Sequence, residues 1–182
     1  MRQELKEELK IPAGTIITLE NGIFVVKGKK GEVKRSLHNP KVISKVEGNT
    51  VIFHSPNATK REKKLIKSYL AHLKNMIKGA NEGFVYKLKL CTSHFPMTVA
   101  VKGNVFEIKN FIGESVPRTL AIPVGVSIKS DGQVITVEGL DNETVSMTAA
   151  LIEKTTKRPG FDKRIFQDGI FITDKDGESM RD

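Results

Sequence analysis

The stretch Ile23-Phe24-Val25-Val26-Lys27-Gly28-Lys29-Lys30-Gly31-Glu32-Val33-Lys34-Arg35-Ser36-Leu37 reads as two strands around a basic, glycine-bearing turn. Its flanks are rich in β-branched residues, as half-buried antiparallel hairpins are. A second hairpin follows, Val42 to Val46 and Thr50 to His54 around Glu47-Gly48-Asn49, and then a helical pattern. The same order recurs downstream. Met97 to Val101 and Val105 to Lys109 flank Lys102-Gly103-Asn104, Val124 to Lys129 and Val134 to Glu138 flank Ser130-Asp131-Gly132, and a helical pattern follows again. Such self-similarity decides the fold class before any single element does. The expectation is an α+β protein of two duplicated domains, each an antiparallel sheet of hairpins packed against one helix. Thr15 to Leu19 and Val85 to Cys91 add a strand to each sheet.

Matching Val26-Lys27-Gly28 with Val101-Lys102-Gly103 sets the copies 75 residues apart, whereas matching Gly48 with Gly132 sets them 84 apart. The nine extra residues are expected in a loop within Asn110 to Pro123, where Gly113, Pro117 and Pro123 form turns. In the first helix Leu65, Ile66, Tyr69, Leu70, Leu73, Met76 and Ile77 make one apolar stripe. Thr59 and Glu62 give it a capping box and Gly79 a stop. Lys60, Lys63, Lys64, Lys67, Lys74 and Lys78 cover its remaining surface, either as a solvated face or as an RNA contact. The second helix is expected to start from Asn142 as its cap, with Val145, Thr148, Ala149 and Ile152 inward. Residues 1–80 then form the N-terminal domain, with 1–10 as a charged arm, residues 83–175 the C-terminal domain, and residues 176–182 a flexible tail.

With 38% apolar and 28% charged residues the composition is globular and not disordered. Apolar runs fall far short of the roughly 20 residues a membrane helix needs, and Met1-Arg2-Gln3-Glu4 opens no signal peptide, so a cytoplasmic protein with no membrane partner is expected. Cys91 has no second cysteine to pair with. A net charge of +9 favours polyanionic partners, nucleic acid first. Residues 1–82 hold 17 basic and 8 acidic side chains, and residues 83–182 hold 13 of each. The neutral second half is locally polarised: Lys154, Lys157, Arg158, Lys163 and Arg164 face only Asp162, while acids gather at Asp131, Glu138, Asp141 and Glu143 and after Lys175. One face of that half is expected to meet RNA.

Catalytic and metal motifs are not found. His38, His54, His72 and His94 follow no ligand spacing, and Cys91 with His94 offers two zinc ligands where a structural site uses four. Gly28-Lys29-Lys30-Gly31 lacks the Lys-Ser/Thr ending of a P-loop, and Asp174-Lys175-Asp176-Gly177-Glu178 is too short for a calcium loop. A non-enzyme with no cofactor, metal or small-molecule substrate is expected. With no Trp, two Tyr and nine Phe, no RNP-like order of stacking aromatics is visible, so recognition of folded RNA by shape and phosphate position is favoured over single-strand base readout.

The segment Arg164-Ile165-Phe166-Gln167-Asp168-Gly169-Ile170-Phe171-Ile172-Thr173-Asp174-Lys175 closely resembles the C-terminal signature of ribosomal protein six of the large subunit, in its archaeal and eukaryotic branch. Arg164, Phe166, Asp168, Gly169, Ile170 and Lys175 carry the match, Phe171 stands where tyrosine is common, and Arg158-Pro159-Gly160-Phe161 departs from the more uniformly basic run of eukaryotic members. Asn110-Phe111-Ile112-Gly113-Glu114 and Val137-Glu138-Gly139-Leu140-Asp141 are similar to two further family segments. The resemblance implies two α/β domains arisen by duplication, no enzymatic activity, and binding of 23S-type ribosomal RNA near the stalk base, the factor-binding and tRNA region, chiefly through the C-terminal domain. It implies an RNA-binding set of Lys154, Lys157, Arg158, Lys163, Arg164, Asp168, Gly169, Lys175, Asn110 and Arg118, with neighbouring ribosomal proteins at the stalk base as further partners. A reading from another class stays open: a non-catalytic interaction module whose lysine-rich first domain docks an acidic protein.

Overall fold

In Ile23–Lys27 the side chains of Phe24 and Val26 are fully buried while Ile23 and Lys27 face outward, the period of two that a sheet with one wet face imposes. The computed structural model describes residues 3–162 and 164–180. The chain divides into two compact units, Met1–Gly83 and Phe84–Asp182.

The first unit runs through β1 (Gln3–Lys10), β2 (Ile16–Glu20), β3 (Ile23–Lys27), β4 (Glu32–Ser36), β5 (Ile43–Glu47), β6 (Thr50–Ala58) and helix α1 (Lys60–Asn81). Its strands make two antiparallel sheets, ordered β2-β3-β4 and β1-β6-β5. Helix α1 buries Ile66, Tyr69, Leu73, Met76 and Ile77 against them. Phe24, Phe53 and Tyr69 meet in a chain of tilted rings 5.7 and 5.8 Å apart. The start of α1 follows the expected capping box: the Arg61 N–H donates to the Thr59 hydroxyl, and the Thr59 N–H donates to the Glu62 carboxylate at 2.8 Å. The Thr59 hydroxyl also donates to Glu62, and these bonds hold the Glu62 carboxyl down at about 2. Gly79 does not stop the helix. It is buried within the last turn, and the chain leaves α1 only after Glu82, at Gly83, whose φ of 73° suits glycine.

The second unit runs through β7 (Phe84–Cys91), β8 (Thr98–Lys102), β9 (Val105–Lys109), a 3-10 turn (Phe111–Gly113), β10 (Arg118–Ala121), β11 (Val126–Asp131), β12 (Val134–Gly139), helix α2 (Asn142–Thr155), β13 (Gly169–Lys175) and β14 (Glu178–Ser179). Its sheets are ordered β8-β9-β10 and β11-β12-β7-β13-β14. Leu88, Phe106, Ile108, Phe111, Ile135, Val137, Val145, Ala149, Ile152 and Ile170 form a single core between the sheets and α2.

The two units trace one path: β1, the meander β2-β3-β4, the hairpin β5-β6 and α1 recur as β7, β8-β9-β10, β11-β12 and α2. The α+β class and the duplication therefore stand, but the alignment of the copies needs correction. Lys102-Gly103-Asn104 joins the first two strands of its meander, so its counterpart is Asn21-Gly22 between β2 and β3, not the turn after Lys27. Gly22 to Gly103 is 81 residues, close to the 84 between Gly48 and Gly132, so the apparent insertion shrinks from nine residues to three. Short hairpins with similar turns are interchangeable by pattern, which is how a match one hairpin out of step arises. The Asn110 to Pro123 segment, expected as a loop, accordingly contains β10, the counterpart of β4, paired along β9.

Three further expectations are corrected. Residues Gln3–Lys10 are not a charged arm but strand β1, paired antiparallel with β6; the ladder is made by backbone groups, so polar side chains conceal it. Asp141, not Asn142, caps α2, its carboxylate accepting from the N–H groups of Glu143 at 3.4 Å and Thr144 at 3.2 Å. Asn142 instead accepts a bond from the Tyr86 hydroxyl at 3.1 Å. The segment after Lys175 is not a free tail as far as Met180: Asp176 and Gly177, at φ 54° and 89°, turn the chain into β14, and the Gly177 N–H donates to Asp174 at 2.8 Å.

Candidate nucleic-acid interface

Helix α2 ends in a basic segment, with Lys154 in its last turn and Lys157 and Arg158 exposed just beyond it. The Thr156 hydroxyl accepts from the Ile170 N–H at 3.0 Å and donates to the Glu153 carbonyl at 3.0 Å, which ties the helix end to the start of β13. Gly169 packs closely at that junction: a Cβ there would lie 3.3 Å from the Phe171 ring and 3.4 Å from the Thr156 hydroxyl, so a side chain would press on both.

Between Thr156 and Gly169 the chain is organised by a ladder of flat groups. The Arg158 guanidinium lies 4.2 Å over the Phe161 ring, Phe161 meets Phe166 edge to face at 4.9 Å, and Phe166 meets the His94 ring at 4.8 Å. Asp168 closes the ladder. Its side chain is 5% exposed, and it accepts from the His94 ring Nδ1 and the Ser93 N–H at 2.5 Å each and from the His94 N–H at 3.0 Å. Burial alone would push the Asp168 carboxyl up, but the His94 ring and the two amides together bring it down to about 2.

The expected RNA-binding residues sort into two kinds. Lys154, Lys157 and Arg158 are exposed and, with Asp168, line one hollow of about 350 Å³. Arg164, its side chain 91% exposed, is turned back onto Asp162 at 3.0 Å, and that ion pair lowers the Asp162 carboxyl. Lys163 lies outside the described residues. Lys175 stands apart from this group at the far end of β13, half-buried and in register with Tyr86 and Glu178.

The other kind is held internally. Arg118 forms a two-pronged bond with Glu114 at 2.8 and 2.6 Å, donates to the Thr155 carbonyl at 2.5 Å and lies 4.3 Å over the Phe111 ring. The bond from Arg118 lowers the Glu114 carboxyl. Asn110 sits in the left-handed region at φ 56° and donates to the Pro96 carbonyl at 2.9 Å. Asp168 and Gly169 likewise shape the backbone. The sequence reading missed His94, Phe161 and Phe166 as parts of one assembly. Only the third dimension brings His94 to Asp168, which is 74 residues away.

Among the described residues no three of His, Cys, Asp and Glu converge as a metal site would require, and no helix is long and apolar enough to cross a membrane. The family model described as Ribosomal protein L6 matches residues 11–83 and 95–169, one match in each unit. The chain is 41% identical over 176 residues to the "Large ribosomal subunit protein uL6" of Methanococcus vannielii, covering 97% of both chains. It is 42% identical over 173 residues to the protein of that name from Saccharolobus solfataricus, covering 94% of this chain and 96% of that one, and 39% identical over 175 residues to the one from Methanosarcina mazei, covering 96% and 99%. A duplicated α+β fold, one family match per copy and relatives of matching length lead to one conclusion: the chain belongs to the ribosomal protein L6 family, as a structural component and not an enzyme.

Proposed function

We propose that the protein is a cytoplasmic constituent of the large ribosomal subunit that binds ribosomal RNA through its second unit and holds RNA helices near the stalk base, beside the factor-binding and tRNA region. The observation that carries the RNA contact is the placing of exposed Lys154 at the end of α2 and of exposed Lys157, Arg158 and Arg164 on the segment that follows, which is tied at one end by Thr156 and at the other by Asp168. Cations on a fixed backbone meet phosphates without ordering a loop at the moment of binding. The stalk-base location rests on the likeness of Arg164 to Lys175 to the family signature. Within the set, the exposed cations contact phosphate, and Asp168, Gly169, Asn110 and Arg118 hold the surface in shape. The exposed lysines of α1, Lys60, Lys63, Lys64, Lys67 and Lys74, support a second contact, to an acidic neighbouring protein.

Binding of the full chain to protein-free large-subunit ribosomal RNA, measured across a salt series, tests this reading. Each phosphate neutralised contributes about 0.7 to 0.9 to the slope of log affinity against log salt. Arg164→Glu is expected to weaken binding and flatten the slope by about one contact. An affinity indifferent to salt would overturn the RNA reading, and an unchanged affinity in Arg164→Glu would remove that residue from the contact.

A further inference from the structure

The hollow beside α2 has a lining that phosphate recognition does not explain. Phe161, Phe166 and Phe171 contribute aromatic surface, and Phe161 and Phe171 remain 37% and 38% exposed. Ala150 on α2 adds only a methyl group to the lining, and Lys154, Lys157 and Arg158 line the hollow as well. Glu153 and Asp168 also line the hollow. A phosphate inside would meet those two negative charges, so anions belong at the cationic part of the rim. A neutral flat group with N–H donors suits a lining of phenyl rings and acidic residues, since its faces stack on the rings and it carries no charge for Glu153 and Asp168 to repel. At about 350 Å³ the hollow falls at the small end of the roughly 300–1,000 Å³ that ligand sites span.

We infer that this hollow receives one unstacked base of the bound RNA, against Phe161 and Phe171, with the phosphates on either side held by Lys154, Lys157 and Arg158. The inference rests on the reading of the second unit as RNA-binding. It adds base capture to a contact otherwise made by charge. The absence of RNP-ordered aromatics in the sequence bears on a sheet used as a stacking platform; here the rings come from a loop and a strand start. The ladder from Arg158 through Phe161 and Phe166 to His94 keeps the rings in place before RNA arrives.

The test uses the full chain and protein-free large-subunit ribosomal RNA, with Ala150→Trp to fill the hollow, Phe161→Leu to keep apolar bulk without a stacking face, and Lys157→Gln as the charge control. Ala150 and Phe161 are exposed, and helical circular dichroism checks that each variant is folded. Zero-length ultraviolet crosslinking of the wild type is expected to join a base to Phe161, Phe166 or Phe171. Ala150→Trp is expected to lower affinity roughly 5- to 100-fold, the range for losing one base–aromatic stack, and to abolish the crosslink while leaving the salt slope unchanged. Phe161→Leu is expected to reduce both affinity and crosslink, and Lys157→Gln to lower the slope by about one. If Ala150→Trp and Phe161→Leu bind within twofold of wild type while Lys157→Gln is weakened, the base site is overturned and the RNA reading stands. If wild-type binding is insensitive to salt, both fall.

Discussion

Replacing Asp168 with alanine removes the group that joins the segment after α2 to the chain that follows β7. Three bonds are lost, from the Ser93 N–H, the His94 N–H and the His94 ring. Hydrogen bonds to a charged group contribute about 1.5–3 kcal/mol each when buried, but Ser93 and His94 are exposed and water takes over part of their bonding, so about 1 kcal/mol each is the better figure. The carboxyl's descent from 3.8 to about 2 corresponds to roughly 2 kcal/mol as an upper figure, reduced because the His94 side chain is 39% exposed. The bond count gives about 3 kcal/mol and the carboxyl's descent less than about 2, so Asp168→Ala should cost about 1–3 kcal/mol. Asp168→Asn keeps an acceptor for the amides and loses the charge, so it should cost about half as much. Because the folded carboxyl lies below its unfolded value, its contribution is complete above about pH 4 and is lost as pH falls toward 2. The gap between wild type and Asp168→Asn should therefore close over that window. Denaturant titrations across pH, with hydrogen exchange of the Ser93 and His94 amides, measure both effects. A loss below about 0.5 kcal/mol, or rapid exchange of those amides in the wild type, would refute the pinning role.

Two further substitutions probe other parts of the frame. Arg118→Lys keeps the charge but loses the fork that meets Glu114 and the Thr155 carbonyl together, and should cost about 1–3 kcal/mol; an unchanged thermal midpoint would show that the fork adds nothing to the fold. Gly28→Ala places a Cβ 2.6 Å from the Ala80 carbonyl oxygen, where the Lys30 N–H also bonds, so backbone must move at a cost of about 1–3 kcal/mol; urea titration giving wild-type stability would show that the turn yields freely.

The parts of this fold legible in the sequence are those written in side-chain periodicity. The apolar stripe of α1, its capping box at Thr59 and Glu62, and the recurrence of hairpin, hairpin, helix all depend on local spacing, and all are present. Register between copies is not written locally: Lys102-Gly103-Asn104 looks as much like the turn after Lys27 as like Asn21-Gly22, and only strand pairing decides. Strand β1 was hidden because backbone groups, not its charged side chains, make its ladder. At the interface, the clustering of Lys154, Lys157 and Arg158 follows from their nearness in sequence. The commitments of Arg118 to Glu114 and Thr155, and of Asp168 to His94, depend on approaches that no spacing announces.

The duplicated modules meet the hazard of an open strand edge in different ways. In the second unit β13 lies along the side of β7 that β12 does not use, so that strand is covered on both flanks. Its counterpart β1 has β6 on one side and no strand on the other among the described residues, which leaves a row of backbone groups able to template another chain. Glu4, Lys6, Glu7, Glu8 and Lys10 stud that row with charge of both signs, a guard against adhesion while the protein waits, newly made, for its permanent surroundings. The composition that makes residues 3–10 look like an unstructured arm is thus the kind that discourages an edge strand from pairing with another chain.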